Sequence, residues 1–179
     1  MLSLVVFLTG CYFVATVHAA CVDGPYSAEK SVFGPGGGKY YLLKSTYPKE
    51  NDCVYVVPPP TGSSFPANYQ FGFKKSDGTW HSENGEVNVQ GPNILDKDQQ
   101  YGQTNTTLVY SDYKECDVGL FHGSFGGPHV ELWRHSSADE NGDGFKCCKD
   151  KFEEELKKQK QESNVKEVGG QKCVYPNSK

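Results

Sequence analysis

The cysteines, read with the segment ahead of them, limit most strongly what this chain can become. Seven occur in the 179 residues, at positions 11, 21, 53, 116, 147, 148 and 173. The first lies in a stretch, Met1 to Ala19, that is largely apolar and contains no Asp, Glu, Lys or Arg. This stretch falls short of the ~20 apolar residues that span a bilayer, and it lacks the polar face of an amphipathic core helix. It has the form of a secretory signal peptide, with cleavage expected after Ala19, where Val17 and Ala19 supply small residues. Residues 1–19 are therefore read as the signal peptide and residues 20–179 as one mature domain.

Cleavage removes Cys11 and leaves an even set, Cys21, Cys53, Cys116, Cys147, Cys148 and Cys173, in an oxidising compartment. Three disulfides are expected, although six cysteines allow 15 pairings and spacing selects none of them. A metal cluster is disfavoured, because no C-x-x-C pair occurs. With about 160 mature residues the domain can bury a real core, so the bridges reinforce it rather than replace it. The net charge of −4, without a basic stripe, argues against nucleic acid and anionic membrane as partners. No later segment is apolar enough to span a membrane.

Short segments with strand character dominate the middle of the chain. They include Lys39–Tyr47, Cys53–Val57, Asn68–Lys74 and a return strand from Trp80. After a second turn signal at Asn84-Gly85 come Glu86–Gln90, Thr106–Ser111, Cys116–Phe121 and His129–Arg134. About eight such strands at this spacing indicate an antiparallel barrel or sandwich. Tyr26–Phe33 has room for one or two helical turns before the Gly-rich run at 34–38. Near the end, Phe145, Cys148, Phe152 and Leu156 form an apolar helical stripe that can lie against the barrel. The polar run from Lys157 to Lys166 is expected to fray, with Cys173 fastening the tail.

Two acids stand in apolar strand contexts, in Cys116-Asp117-Val118 and in Glu131-Leu132-Trp133. Alternation puts Glu131 and Trp133 on one face and sets Asp117 opposite Cys116. If Cys116 is stapled to the helix outside the barrel, Asp117 points into it. Two inward carboxylates cost several kcal/mol in repulsion and lost hydration unless a cationic guest or a fixed Arg or Lys offsets them. A protonated amine would suit, with Trp133 offering a ring face. The residues alone favour the plainer arrangement, in which both acids cap turns or pair with Arg134 or Lys114 at the surface.

The order Cys116-Asp117-Val118, twelve residues, Glu131-Leu132-Trp133, thirteen residues, Cys147 resembles the biogenic-amine-binding motif of tick salivary lipocalins. The segments Tyr40–Tyr47 and Leu108–Asp112, and the Cys147-Cys148 pair, resemble the same family. The resemblance implies an all-β fold: an eight-stranded antiparallel lipocalin barrel with a C-terminal helix packed outside and a short N-terminal helix. It also implies a monomer, secreted in saliva, that sequesters histamine or serotonin without cofactor or catalysis. The cysteine order is that of the soft-tick, moubatin-like branch, implying the pairs Cys21–Cys147, Cys53–Cys173 and Cys116–Cys148. Asp117 and Glu131 match the acids that hold the amine, and Trp133 a pocket-wall aromatic. Tyr47 and Glu50 align with contacts of an upper site, and Tyr110 completes the expected ligand set. Thr104 and Thr106 stand where two-site members carry an aromatic and an acid, which favours one amine per barrel. Within the same branch, lipid-mediator binding and inhibition of a host protein such as a complement component are the alternatives.

Other motifs carry less. Asp139, Asn141, Asp143 and Gly144 begin like a calcium loop, but Asp150 stands where a Glu is needed. His122, His129 and His135 are read as solvated. Without a nucleophile motif there is no case for an enzyme. Asn105-Thr106-Thr107 is a glycosylation sequon at Asn105.

Overall fold

Strands alternating between two apolar environments need a surface on each side, and a closed barrel with a helix outside supplies both. The computed structural model describes residues 21–170 and 172–176, and the signal-peptide reading lies outside them. The strands are β1 (Tyr40–Ser45), β2 (Asp52–Val57), β3 (Ala67–Lys74), β4 (Trp80–Gln90), β5 (Asn93–Asp98), β6 (Gly102–Ser111), β7 (Cys116–His122) and β8 (His129–His135). Neighbours pair antiparallel in chain order, and β1 closes the barrel by pairing with both β8 and β2.

The lower end is sealed by helix α1 (Ala28–Phe33), capped by Ser27, whose side chain accepts from the Lys30 N–H. The Ala28 N–H donates to Gly91 O, and the Tyr40 hydroxyl donates to Ser31 O at 3.0 Å, tying α1 to the strand ends. Outside the barrel, helix α2 (Asp143–Gln159) buries the expected stripe of Phe145, Cys148, Phe152 and Leu156 against Leu43, Val118, Val130 and Leu132. Each of the buried Phe and Leu side chains in this stripe contributes about 1.5–3 kcal/mol. Two disulfides, Cys21–Cys147 and Cys116–Cys148, staple α2, and Cys53–Cys173 holds the tail.

Four local expectations are corrected. First, β1 and β2 pair only at Tyr40 and Tyr41, and beyond Tyr41 the two strands part. The segment expected to fray fills that gap. After α2 comes a single 3-10 turn, Glu162–Asn164, and then a short strand β9 (Lys166–Glu167), which pairs with Lys44 and Ser45. Val168 accepts from the Cys53 N–H and donates to Leu43 O, both at 2.9 Å, and so bridges the parted strands. Unpaired strand edges are costly to bury, and this wedge satisfies them.

Second, Asn84-Gly85 is not a turn: β4 runs straight through it. The glycine is needed for space, since a Cβ there would lie 2.5 Å from Tyr69 Cε1 on the paired strand. Gly85→Ala is expected to displace the Tyr69 ring and cost about 1–3 kcal/mol. A thermal midpoint within a degree of wild type would show that the ring has room. Third, β5 matches none of the strands expected from the sequence, and β4 is one strand where two are expected, at Trp80 and at Glu86–Gln90. Fourth, the histidines are not all solvated. His129 and His135 are buried, with His135 Nε2 2.9 Å from Gly37 O and His129 Nε2 3.1 Å from Phe125 O.

Candidate functional site

The inward side chains leave a cavity of about 160 Å³ running from α1 toward the opposite mouth. The strand phase around Cys116 follows alternation. Cys116, Val118 and Leu120 face α2, while Asp117, Gly119 and Phe121 line the cavity. On the paired strand β8, Glu131 and Trp133 line it, and Val130 and Leu132 face α2.

Asp117 sits at the α1 end, only 8% exposed, opposite Trp133 on β8 and Ser111 on β6. Burial pushes its carboxyl up to about 7; the Ser111 and Ser31 hydroxyls work against that shift, and the Asp112 charge adds to it. Glu131, 3% exposed, lies one pleat nearer the mouth and accepts a hydrogen bond from Trp133 Nε1 at 2.9 Å. Burial raises it well above the usual range, and the Glu50 charge raises it further.

Glu50 reaches the cavity from the segment between β1 and β2. The Tyr101 hydroxyl donates to it at 2.9 Å and the Asn51 N–H at 3.1 Å. Burial lifts it to about 6, while those donors and the Lys166 charge restrain the rise. Strand β5 contributes two more acids. Asp96 is pushed up to about 7 by burial and by Asp98. Asp98 is raised as well, chiefly by burial, though it accepts from the Tyr101 N–H at 2.6 Å and the Tyr69 hydroxyl at 3.1 Å. Five carboxylates thus share one cavity whose walls include the rings of Tyr40, Tyr69, Phe71, Tyr101 and Trp133. No Lys, Arg or His is among the described residues that line it.

Of the residues singled out in the sequence, Asp117, Glu131, Trp133 and Glu50 meet in this cavity. Tyr47 does not line it. Its ring packs over the mouth, 5.1 Å from both Phe121 and His129 and 6.0 Å from Phe125. Tyr110 points the other way, 1% exposed in the α2 cluster with Tyr26 at 5.8 Å. A bulge is the reason: Leu108 pairs with Gly119 but Tyr110 with Val118, so the strand turns over between them. Asn105 alternates with the inward Thr104 and Thr106 and so belongs to the outer face.

Sequence reasoning missed Asp96, Asp98, Tyr69 and Tyr101. The available signal was Ile94-Leu95-Asp96-Lys97-Asp98, in which Ile94, Asp96 and Asp98 alternate onto one face. Aspartate is depleted in strands, and a run alternating on acids does not look like a core-facing strand.

The family model for tick histamine binding protein matches residues 26–168. Moubatin of Ornithodoros moubata is 29% identical over 144 residues, covering 79% of this chain and 80% of moubatin. The solved structure of AM182 in its serotonin complex superposes with a TM-score of 0.68 at 33% identity, covering 87% of this chain and 98% of that one. The siderocalin Ex-FABP, 10% identical, superposes at 0.56 over 79% of this chain and 95% of its own, a likeness of fold alone. Fold and kin are those of lipocalin binding proteins, not enzymes. Its domain matched nearly end to end, the chain belongs to the tick histamine-binding protein family of lipocalins.

Proposed function

We infer that this protein is a secreted, non-catalytic scavenger that holds histamine or serotonin in its barrel. The observation that carries the reading is the acid-rich, ring-walled cavity with no cationic side chain among its described lining residues. A protonated amine supplies what that cavity lacks. Its ammonium can approach Asp117 or Glu131, while Tyr40 and Trp133 offer ring faces worth about 0.5–2 kcal/mol each. The serotonin complex of AM182 supports the same ligand class.

Binding a lipid carboxylate is the weaker reading. Arg134 lies outside the cavity, paired with Glu140 and over the Tyr41 ring, and neither His129 nor His135 lines the cavity. An anionic headgroup would meet acids only. Calorimetric titration with histamine, serotonin and leukotriene B4 tests this. Since a scavenger turns nothing over, nanomolar affinity for an amine is expected, about −12 kcal/mol. No heat with either amine at protein concentrations well above micromolar, or saturable leukotriene binding alone, would refute the reading.

A further inference from the structure

The cavity holds more carboxyl groups than one monoamine can pair with. Glu50, Asp96, Asp98, Asp117 and Glu131 all line it. The Lys166 charge acts on Glu50, but its exposed side chain is bonded to Pro48 O outside the cavity, and no cation is among the charges acting on Asp96 or Asp117. Two separate ring-bearing amines would neutralise more. Yet a cavity of about 160 Å³ falls below the ~300–1,000 Å³ of sites for drug-sized ligands, and has room for one small guest.

The acids are also strung along the barrel axis rather than gathered. Asp117 pairs with Trp133 and Gly119 with Glu131, so the two acids are diagonal neighbours, about 7–8 Å apart at Cα. Glu50 acts directly on Glu131 from the mouth side, whereas it is absent from the charges acting on Asp117. The walls around these acids, including Leu42, Val54, Phe71 and Trp133, are largely apolar. Two cationic centres joined by a short hydrocarbon chain match this pattern: five bonds of about 1.5 Å, extended, reach roughly 6 Å.

We propose that the cavity prefers a single flexible dication, an aliphatic α,ω-diamine or polyamine, with one ammonium at Asp117 and the next at Glu131 and Glu50. This rests on the amine-binding reading above and narrows its ligand class. The test is titration of the mature, disulfide-bonded chain with 1,4-diaminobutane and spermidine against 1-butylamine, with serotonin and histamine in parallel. At about pH 8, above the values of about 6 to 7 to which Glu50, Asp96 and Asp117 are raised, the diamine should bind at least about tenfold more tightly than butylamine. Asp117→Asn and Glu131→Gln should each bring that ratio close to one, with far-ultraviolet circular dichroism confirming that both variants fold. A ratio near one in the wild type, with serotonin or histamine still binding, would overturn the dication proposal and leave the amine reading standing. A ratio that persists in both variants would overturn it too, because the second ammonium would then lie elsewhere. If no amine binds, both readings fall.

Discussion

Asp117→Asn is expected to weaken amine binding by about thirtyfold or more and, in the same molecule, to stabilise the empty barrel. Truncating one side of a buried charge pair typically costs about 2–5 kcal/mol, which sets the first number. The second follows from proton linkage. Burial holds the Asp117 carboxyl at about 7, against 3.8 for the free side chain. Between those values the folded state keeps a proton that the unfolded state has released, so stability falls as pH rises and the loss is complete above about 7. A displacement of about 3 pH units corresponds to about 4 kcal/mol. Asparagine carries no charge at any pH, so the stability gap between variant and wild type should widen from about pH 5 to about pH 8. Denaturant melts of both ligand-free proteins across that range measure it, and a gap that is constant or narrows with pH would disprove the assignment. Amine affinity should run the opposite way, rising with pH as the carboxylates ionise. Asp96, also raised to about 7, and Glu50, raised to about 6, keep part of the wild-type slope in the variant.

The complementary change should spare binding and damage the scaffold. Removing the Cys116–Cys148 bridge by replacing both cysteines with alanine frees a loop of 32 residues, for which chain entropy gives about 3–4 kcal/mol of destabilisation. The phase of Asp117 does not depend on the bridge alone. Asp117 pairs with Ser111 on one side and Trp133 on the other, and Val118 and Leu132 stay buried against α2. Amine affinity measured well below the melting temperature should therefore change less than tenfold, while the denaturant midpoint drops sharply. If affinity collapses while the fold is retained, the bridge rather than the strand pairing orients Asp117. Set beside Asp117→Asn, the pair separates what holds the barrel from what the barrel holds.

Much of this site was legible along the chain. Around residues 116–118 and 131–133 an acid alternates with residues that belong to the helix side, so knowing one phase gives the other. The stripe Phe145, Cys148, Phe152 and Leu156 was readable for the same reason, since helical periodicity is local. Tyr110 shows where this fails. Two residues after the inward Leu108, simple alternation would turn it inward as well, but the bulge reverses the strand. Gly85 shows another failure: the glycine answers a tyrosine ring sixteen residues earlier, which no local pattern discloses.

The sequence by itself determined the cysteine inventory, the apolar stripe of α2 and the relative phases within 116–118 and 131–133, because each depends on spacing within a few residues; the closed barrel turned Asp117 and Glu131 inward. Only the tertiary structure decided that Glu50, Asp96 and Asp98 join them in one cavity. It alone placed the 166–169 segment in the gap between β1 and β2. Both outcomes depend on register with partners far along the chain. A shift of one residue turns an acid from the cavity to solvent, and that choice belongs to the closed barrel as a whole.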